Sequence, residues 1–176
     1  MSESNILSLA GVIKESIVDG PGYRYTVFCQ GCPHHCEGCH NPATHPFEGG
    51  TPVSVERLAA DIAGNPLLKG VTFSGGEPFC QAAAYAQLAR LVHAQGRDVF
   101  CYSGYTFEQL LKGANEQNHW MELLREIDTL VDGKFVLKEK SLMLRFRGSR
   151  NQRILDVKKS LEAGQAVWDA ALCDIE

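Results

Sequence analysis

Three cysteines, Cys32, Cys36 and Cys39, fall in the spacing C-x-x-x-C-x-x-C just after the apolar run Tyr25-Thr-Val-Phe-Cys29. Thiolates at these intervals in one loop can hold three corners of a 4Fe–4S cluster. The fourth iron is then open to a small molecule, whereas an electron-carrying cluster generally takes four cysteines. An open corner implies that the cluster binds something and does chemistry on it. Other uses compete. Cys29 makes four thiols in one tight run, but a two-knuckle zinc site separates its pairs by roughly 15–20 residues. Here only Pro33, His34 and His35 lie between Cys32 and Cys36. The bacterial ferredoxin run has different gaps, and disulfides need an oxidising compartment that nothing in the sequence marks. The cysteines alone favour the open cluster, with zinc, a ferredoxin-like cluster and uncommitted thiols as alternatives.

A second motif, Ser74-Gly75-Gly76-Glu77-Pro78, directly follows the apolar run Gly70–Ser74. Adjacent glycines let the backbone approach a ligand closely, although a plain strand-to-helix turn would use the same residues. Ser103-Gly104-Tyr105 poses the same choice, as an ordinary turn or a ligand contact. His34 and His35 read as loop residues shaping a partner-facing surface rather than as ligands. Cys29 reads as a strand end pointing inward, and Cys80, Cys101 and Cys173 as small core residues. Lys138, Lys140, Arg145, Arg147, Arg150 and Arg153 form a basic set that fits either an acidic partner or a solvated face.

The elements that must position these residues alternate. Strands are expected at 25–29, 70–74, 98–102 and 129–132. Helices are expected at 53–63 with Ser54 as cap, at 81–95 with Tyr85, Leu88, Leu91 and Val92 on one stripe, and at 119–127. Another is opened by the capping-box pattern Thr106-Phe-Glu-Gln109. That order implies an α/β fold with a mostly parallel sheet. A closed eight-stranded barrel takes about 250 residues, so 176 residues suggest a partial, open barrel in a single domain over 1–176. In such sheets chemistry gathers at the carboxyl ends of the strands, where the cysteine loop begins. A net charge of −4 supplies no basic field for nucleic acid, and no apolar run approaches the ~20 residues of a membrane span. The polar, acidic start Met1–Asn5 is unlike a signal peptide. With seven cysteines it points to a reducing cytoplasm.

Together, Cys32-Pro-His-His-Cys36-Glu-Gly-Cys39 and Gly75-Gly76-Glu77 resemble the radical S-adenosylmethionine (SAM) enzymes. The resemblance implies a partial radical SAM β/α barrel and one 4Fe–4S cluster on Cys32, Cys36 and Cys39. Its open iron would chelate the amino and carboxylate groups of SAM. Gly38, Cys39 and His40 would meet the adenine through backbone, and Gly76 the methionine moiety, where an added Cβ would clash with SAM. Many members carry an aromatic residue where this chain has Gly38. Val18-Asp19-Gly20-Pro21-Gly22-Tyr-Arg24, Phe28-Cys-Gln-Gly31-Cys32 and Cys39-His40-Asn41-Pro42 are similar to glycyl-radical-enzyme activases. Val131-Asp132-Gly133-Lys134-Phe135 and Arg147-Gly148-Ser149-Arg150-Asn151-Gln152-Arg153 narrow that to the activating proteins of anaerobic ribonucleoside-triphosphate reductases. This implies installation of a glycyl radical on that reductase, with electrons from a low-potential donor such as flavodoxin or ferredoxin. Docking is expected through Phe146–Arg153, led by Arg147, Arg150 and Arg153. Alternatives are an activase of the pyruvate formate-lyase type, a small-molecule radical SAM enzyme and a non-catalytic iron–sulfur carrier.

Overall fold

The computed structural model of the chain describes residues 5–172. Its strands are β1 (Ile6–Ser16), β2 (Arg24–Cys29), β3 (Thr51–Ser54), β4 (Gly70–Gly75), β5 (Asp98–Tyr102), β6 (Thr129–Asp132) and β7 (Arg153–Asp156). Its α-helices are α1 (Val55–Ala63), α2 (Ala82–Ala94), α3 (Phe107–Gly113), α4 (Trp120–Glu126) and α5 (Val157–Ala163). The strands form one sheet in the order β3-β1-β2-β4-β5-β6-β7. β2, β4, β5 and β6 run parallel, while β1, β3 and β7 pair antiparallel at the flanks. The parallel expectation holds for the four central strands, and the whole is a mixed α/β sheet whose end strands do not pair with each other.

Alternation along the central strands sorts the two faces. Tyr25, Val27 and Cys29 of β2, Val71 and Phe73 of β4, and Val99 and Cys101 of β5 share a buried core with Tyr85, Leu88 and Val92 of α2. The helices start where the sequence indicates. Ser54 accepts from Arg57 N at 3.2 Å, and Thr106 with Gln109 closes a reciprocal capping box. On the opposite face Phe100, Val131 and Ile154 form a smaller cluster against Tyr102 and Phe146.

At the amino end of the parallel strands the Asp-Gly-Pro-Gly segment closes a floor. Asp19 accepts from Ser16 Oγ at 2.5 Å and Thr26 Oγ1 at 3.2 Å. The wholly buried Arg24 pairs with Asp98 and donates to Thr72 Oγ1 at 2.8 Å and Val71 O at 2.7 Å. Both outer edges of the sheet are blunted. β3 has only four residues and includes Pro52, which cannot donate to a ladder. β7 is covered from outside, because Asp156 N donates to Val167 O and Asp169 N to Ile154 O, each at 2.9 Å. Among the described residues no helix is long and apolar enough to cross a membrane. Cys101 is buried as expected, but Cys80 is exposed because it falls on the outer turn after Pro78; Cys173 lies outside the described residues.

Candidate functional site

The cysteine loop leaves β2 at Cys29 and is held from below by its own chain. Gln30 Nε2 donates to Ala43 O at 3.1 Å and Pro46 O at 2.6 Å. Gly31 N donates to Thr44 O at 2.7 Å and Cys32 N to His45 O at 3.0 Å. Parallel pairing between β2 and β4 then continues past the strands. Gly76 N donates to Cys29 O and Glu77 N to Gly31 O, each at 2.8 Å. A Cβ at Gly76 would collide with the Gly31 carbonyl oxygen, and one at Gly75, where φ is +93°, with Cys29 N. The glycines are therefore required for the turn to lie flat on the cysteine loop. The Gly76 expectation changes accordingly: an added Cβ first meets this chain's own backbone, not a ligand.

The two segments share one pocket, lined by Cys32, Cys36 and Cys39 on one side and by Ser74, Gly75 and Gly76 on another. Among the described residues no three His, Cys, Asp or Glu side chains converge on one point as they would around a single metal ion. Thiols spread over a pocket wall, with bare glycine backbone nearby, suit a cluster that offers each thiol its own iron. Cys29 is wholly buried in the core and is not part of the lining. Burial pushes the Cys32 thiol up to about 11, against a hydrogen bond from the His34 backbone. In the bare chain it is protonated at neutral pH, and metal binding must displace the proton.

Behind the thiols lies a buried carboxylate whose role sequence reasoning overlooked. Glu77 has no solvent exposure. It accepts from Ser103 Oγ at 2.9 Å, Gly104 N at 2.8 Å and Phe79 N at 3.0 Å. His34 Nε2 stands 2.7 Å from the same group. One acceptor thus joins the cysteine loop, the glycine turn and the rim of β5. His34 is not partner-facing: its side chain is 6% exposed and packs edge-on against Tyr105, with ring centroids 4.5 Å apart. Only the adjacency of Glu77 to Gly76 hinted at this, since 43 residues separate it from His34. Ser103 and Gly104 line the pocket while binding Glu77, so their turn is structural and also borders the site.

Gly38 and His40 border the pocket rather than line it. Gly38 has φ +74°, and a Cβ there would stand 2.8 Å from Leu137 Cδ1 and 3.4 Å from Phe135 Cε1. Phe135 does line the pocket and packs on the His40 ring at 5.0 Å. The Leu137 side chain, with the Phe135 ring beside it, therefore occupies space that a larger residue at Gly38 would claim. Gln152 and Gly133 complete that wall; both belong to the motifs that carry the family resemblance, which did not place them in the site.

The basic tail serves the fold. Arg153 donates to Asp132 at 2.5 Å and to Glu108 at 2.6 Å, which raises its pKa further above the ordinary arginine value. Arg147 donates to the carbonyls of Arg150 and Gln152, each at 3.0 Å, and stacks over Trp168. Phe146 packs on Phe100 at 6.1 Å. Of the three arginines expected to lead docking through Phe146–Arg153, Arg153 and Arg147 are thus engaged within the chain.

Comparison with known proteins agrees with this geometry. Residues 18–155 match a family described as a 4Fe-4S single cluster domain. The chain is 35% identical over 146 residues to an anaerobic ribonucleoside-triphosphate reductase-activating protein of Vibrio cholerae, covering 78% of this chain and 90% of the relative. It is 33% identical over 144 residues to the protein so named in Escherichia coli, covering 77% and 90%. Over 146 residues it is 33% identical to that of Enterobacteria phage T4, covering 78% and 86%.

Proposed function

The chain belongs to the family of anaerobic ribonucleoside-triphosphate reductase-activating proteins, and we propose on that premise that it installs a glycyl radical on such a reductase. It is a radical-generating oxidoreductase with a 4Fe–4S cluster and SAM as cofactors. A reduced cluster held by Cys32, Cys36 and Cys39 would supply the electron for reductive cleavage of SAM, and so the hydrogen-abstracting chemistry that a glycyl radical on the partner requires. Cys32, Cys36 and Cys39 are the ligands in this reading, and Cys29 serves only the core. Gly76 presents backbone to the methionine end of SAM. Gly38, Cys39 and His40 face the adenine, with Phe135 supplying the ring that Gly38 lacks. Ser103, Gly104 and Glu77 brace the cysteine loop and the glycine turn against each other behind the thiols. The open sheet is read as a partial radical SAM barrel in a single domain. A low-potential carrier such as flavodoxin or ferredoxin delivers the electron.

The observation that carries this reading is the shared pocket of three thiols and a glycine turn at the carboxyl ends of parallel strands. Anaerobically reconstituted protein, given SAM, dithionite and an anaerobic reductase, is expected to yield 5′-deoxyadenosine and the doublet of a glycyl radical in electron paramagnetic resonance. Failure to release 5′-deoxyadenosine from a fully loaded cluster would overturn it.

A further inference from the structure

One exposed feature beside the pocket is not used by this chemistry. After Phe135 the chain forms an arm. A 3-10 turn, Leu137–Glu139, leads out, and the Lys140–Ser149 bridge brings the chain back. Arg150 N donates to Glu139 O at 2.9 Å and closes the base. At the tip, Leu142 and Met143 are 90% and 85% exposed, and Val136 and Leu137 are also partly in water. Single exposed apolar residues are ordinary. Two adjacent large ones at the end of an arm tied at its base form an apolar projection of the kind that marks an interaction site. Its charge also stands out. Lys138 and Lys140 stand on its outgoing limb in a chain whose net charge is −4.

The arm's position decides what it meets. Its base forms a wall of the site: Phe135 lines the pocket, Leu137 lies against Gly38, and Gly148 against His40 and Phe135. The arm therefore stands beside the pocket that a glycine-bearing segment has to enter. Of the other exposed apolar residues, Ile17, Val18 and Leu67 sit at the opposite end of the strands, whereas Phe47, 58% exposed, lies singly against Gly31 of the cysteine loop.

We propose that the arm from Val136 to Ser149 is the docking element for the reductase. Leu142 and Met143 enter an apolar hollow on that protein, and Lys138 and Lys140 face acidic groups around it. This inference rests on the activase reading above. Apolar anchors set the lifetime of such a complex, and flanking charges set its rate of formation.

The test uses holoprotein carrying Leu142→Asp and Met143→Asp, both remote from the pocket lining and already in water. Its affinity for the reductase is measured by anaerobic sedimentation, along with glycyl radical yield and dithionite-driven release of 5′-deoxyadenosine without reductase. The expected result is at least tenfold weaker binding. Radical yield should fall at low reductase and recover at high reductase, and partner-free SAM cleavage should be unchanged. In a second variant, Lys138→Glu with Lys140→Glu, association should slow and lose part of its salt dependence. Unchanged affinity in the Leu142/Met143 variant overturns the docking role. So does a change in self-association alone, which would make the arm a contact between copies of this chain. Loss of partner-free SAM cleavage would place the arm in the SAM pocket instead. If wild-type protein releases no 5′-deoxyadenosine, it is the activase reading that fails, a result distinct from all of these.

Discussion

Arg24 at the floor of the sheet and Glu77 at its rim are both wholly buried, yet they are satisfied in different ways. Arg24 is matched by a carboxylate, Asp98, and by fixed strand groups of β4. Its network joins strands β2, β4 and β5 and ties to them the one loop carbonyl of Pro21, at 3.1 Å. Among the described residues Glu77 has no Arg or Lys partner. Its donors are a histidine from the cysteine loop, a serine and a backbone N–H from the rim of β5, and the turn that follows it. The floor is a closed account of opposite charges, whereas the rim gathers loops around one anion and leaves three thiols facing a pocket. A buried charge can hold a fold or hold a site, depending on whether its partners are strands or loops.

The sharpest way to break that contrast is at the thiols. Cys32→Ala, Cys36→Ala and Cys39→Ala are each expected to bring iron content and the visible charge-transfer absorbance to background. Cys29→Ala should keep both and lose only core packing. A Cys29 variant without iron beside a Cys32 variant with it would mean that the triad is misassigned.

Next in size is a paired comparison of the two buried charges. Glu77→Ala leaves several buried donors without an acceptor, and Arg24→Met strips Asp98 of its partner. Each should cost about 3 kcal/mol, or about 10 °C in melting temperature for a chain of this length. Their iron content should separate them. The Arg24 variant, measured per folded molecule, should load a full cluster, and the Glu77 variant only a fraction. Equal loading would show that the rim network is as purely structural as the floor.

The smallest expected effect is at the glycine turn. Gly76→Ala forces the turn away from Gly31, at about 1–3 kcal/mol for an overpacked contact. Iron loading should drop in step with stability, because Cys32 follows Gly31. Full loading with weakened SAM affinity would instead put the methyl group on the ligand side.

The central strands and the cysteine loop were legible in the sequence because their signals are local. Apolar runs such as Val71–Phe73 and the cap at Thr106 need no distant partner to be read. The flanking strands were not. β1 loses its alternation at a register shift between Leu9 and Gly11, β3 contains a proline, and β7 has four residues. The site was legible in its ligands and illegible in their support. His34 looked like surface because its carboxylate lies far along the chain, and Arg153 looked like a free cation because Asp132 and Glu108 reach it only after β6 and β7 pair.

The cover along β7 has a consequence for solubility. A sheet that never closes keeps two margins of unpaired backbone, and each is a template on which another chain could extend the ladder. In this protein one margin is a short strand carrying Pro52, and the other is occupied by the segment containing Val167 and Asp169. The opening that admits a partner is thereby confined to the strand ends. Along its sides the sheet resists the strand-to-strand growth by which an unguarded edge turns a soluble protein into an aggregate.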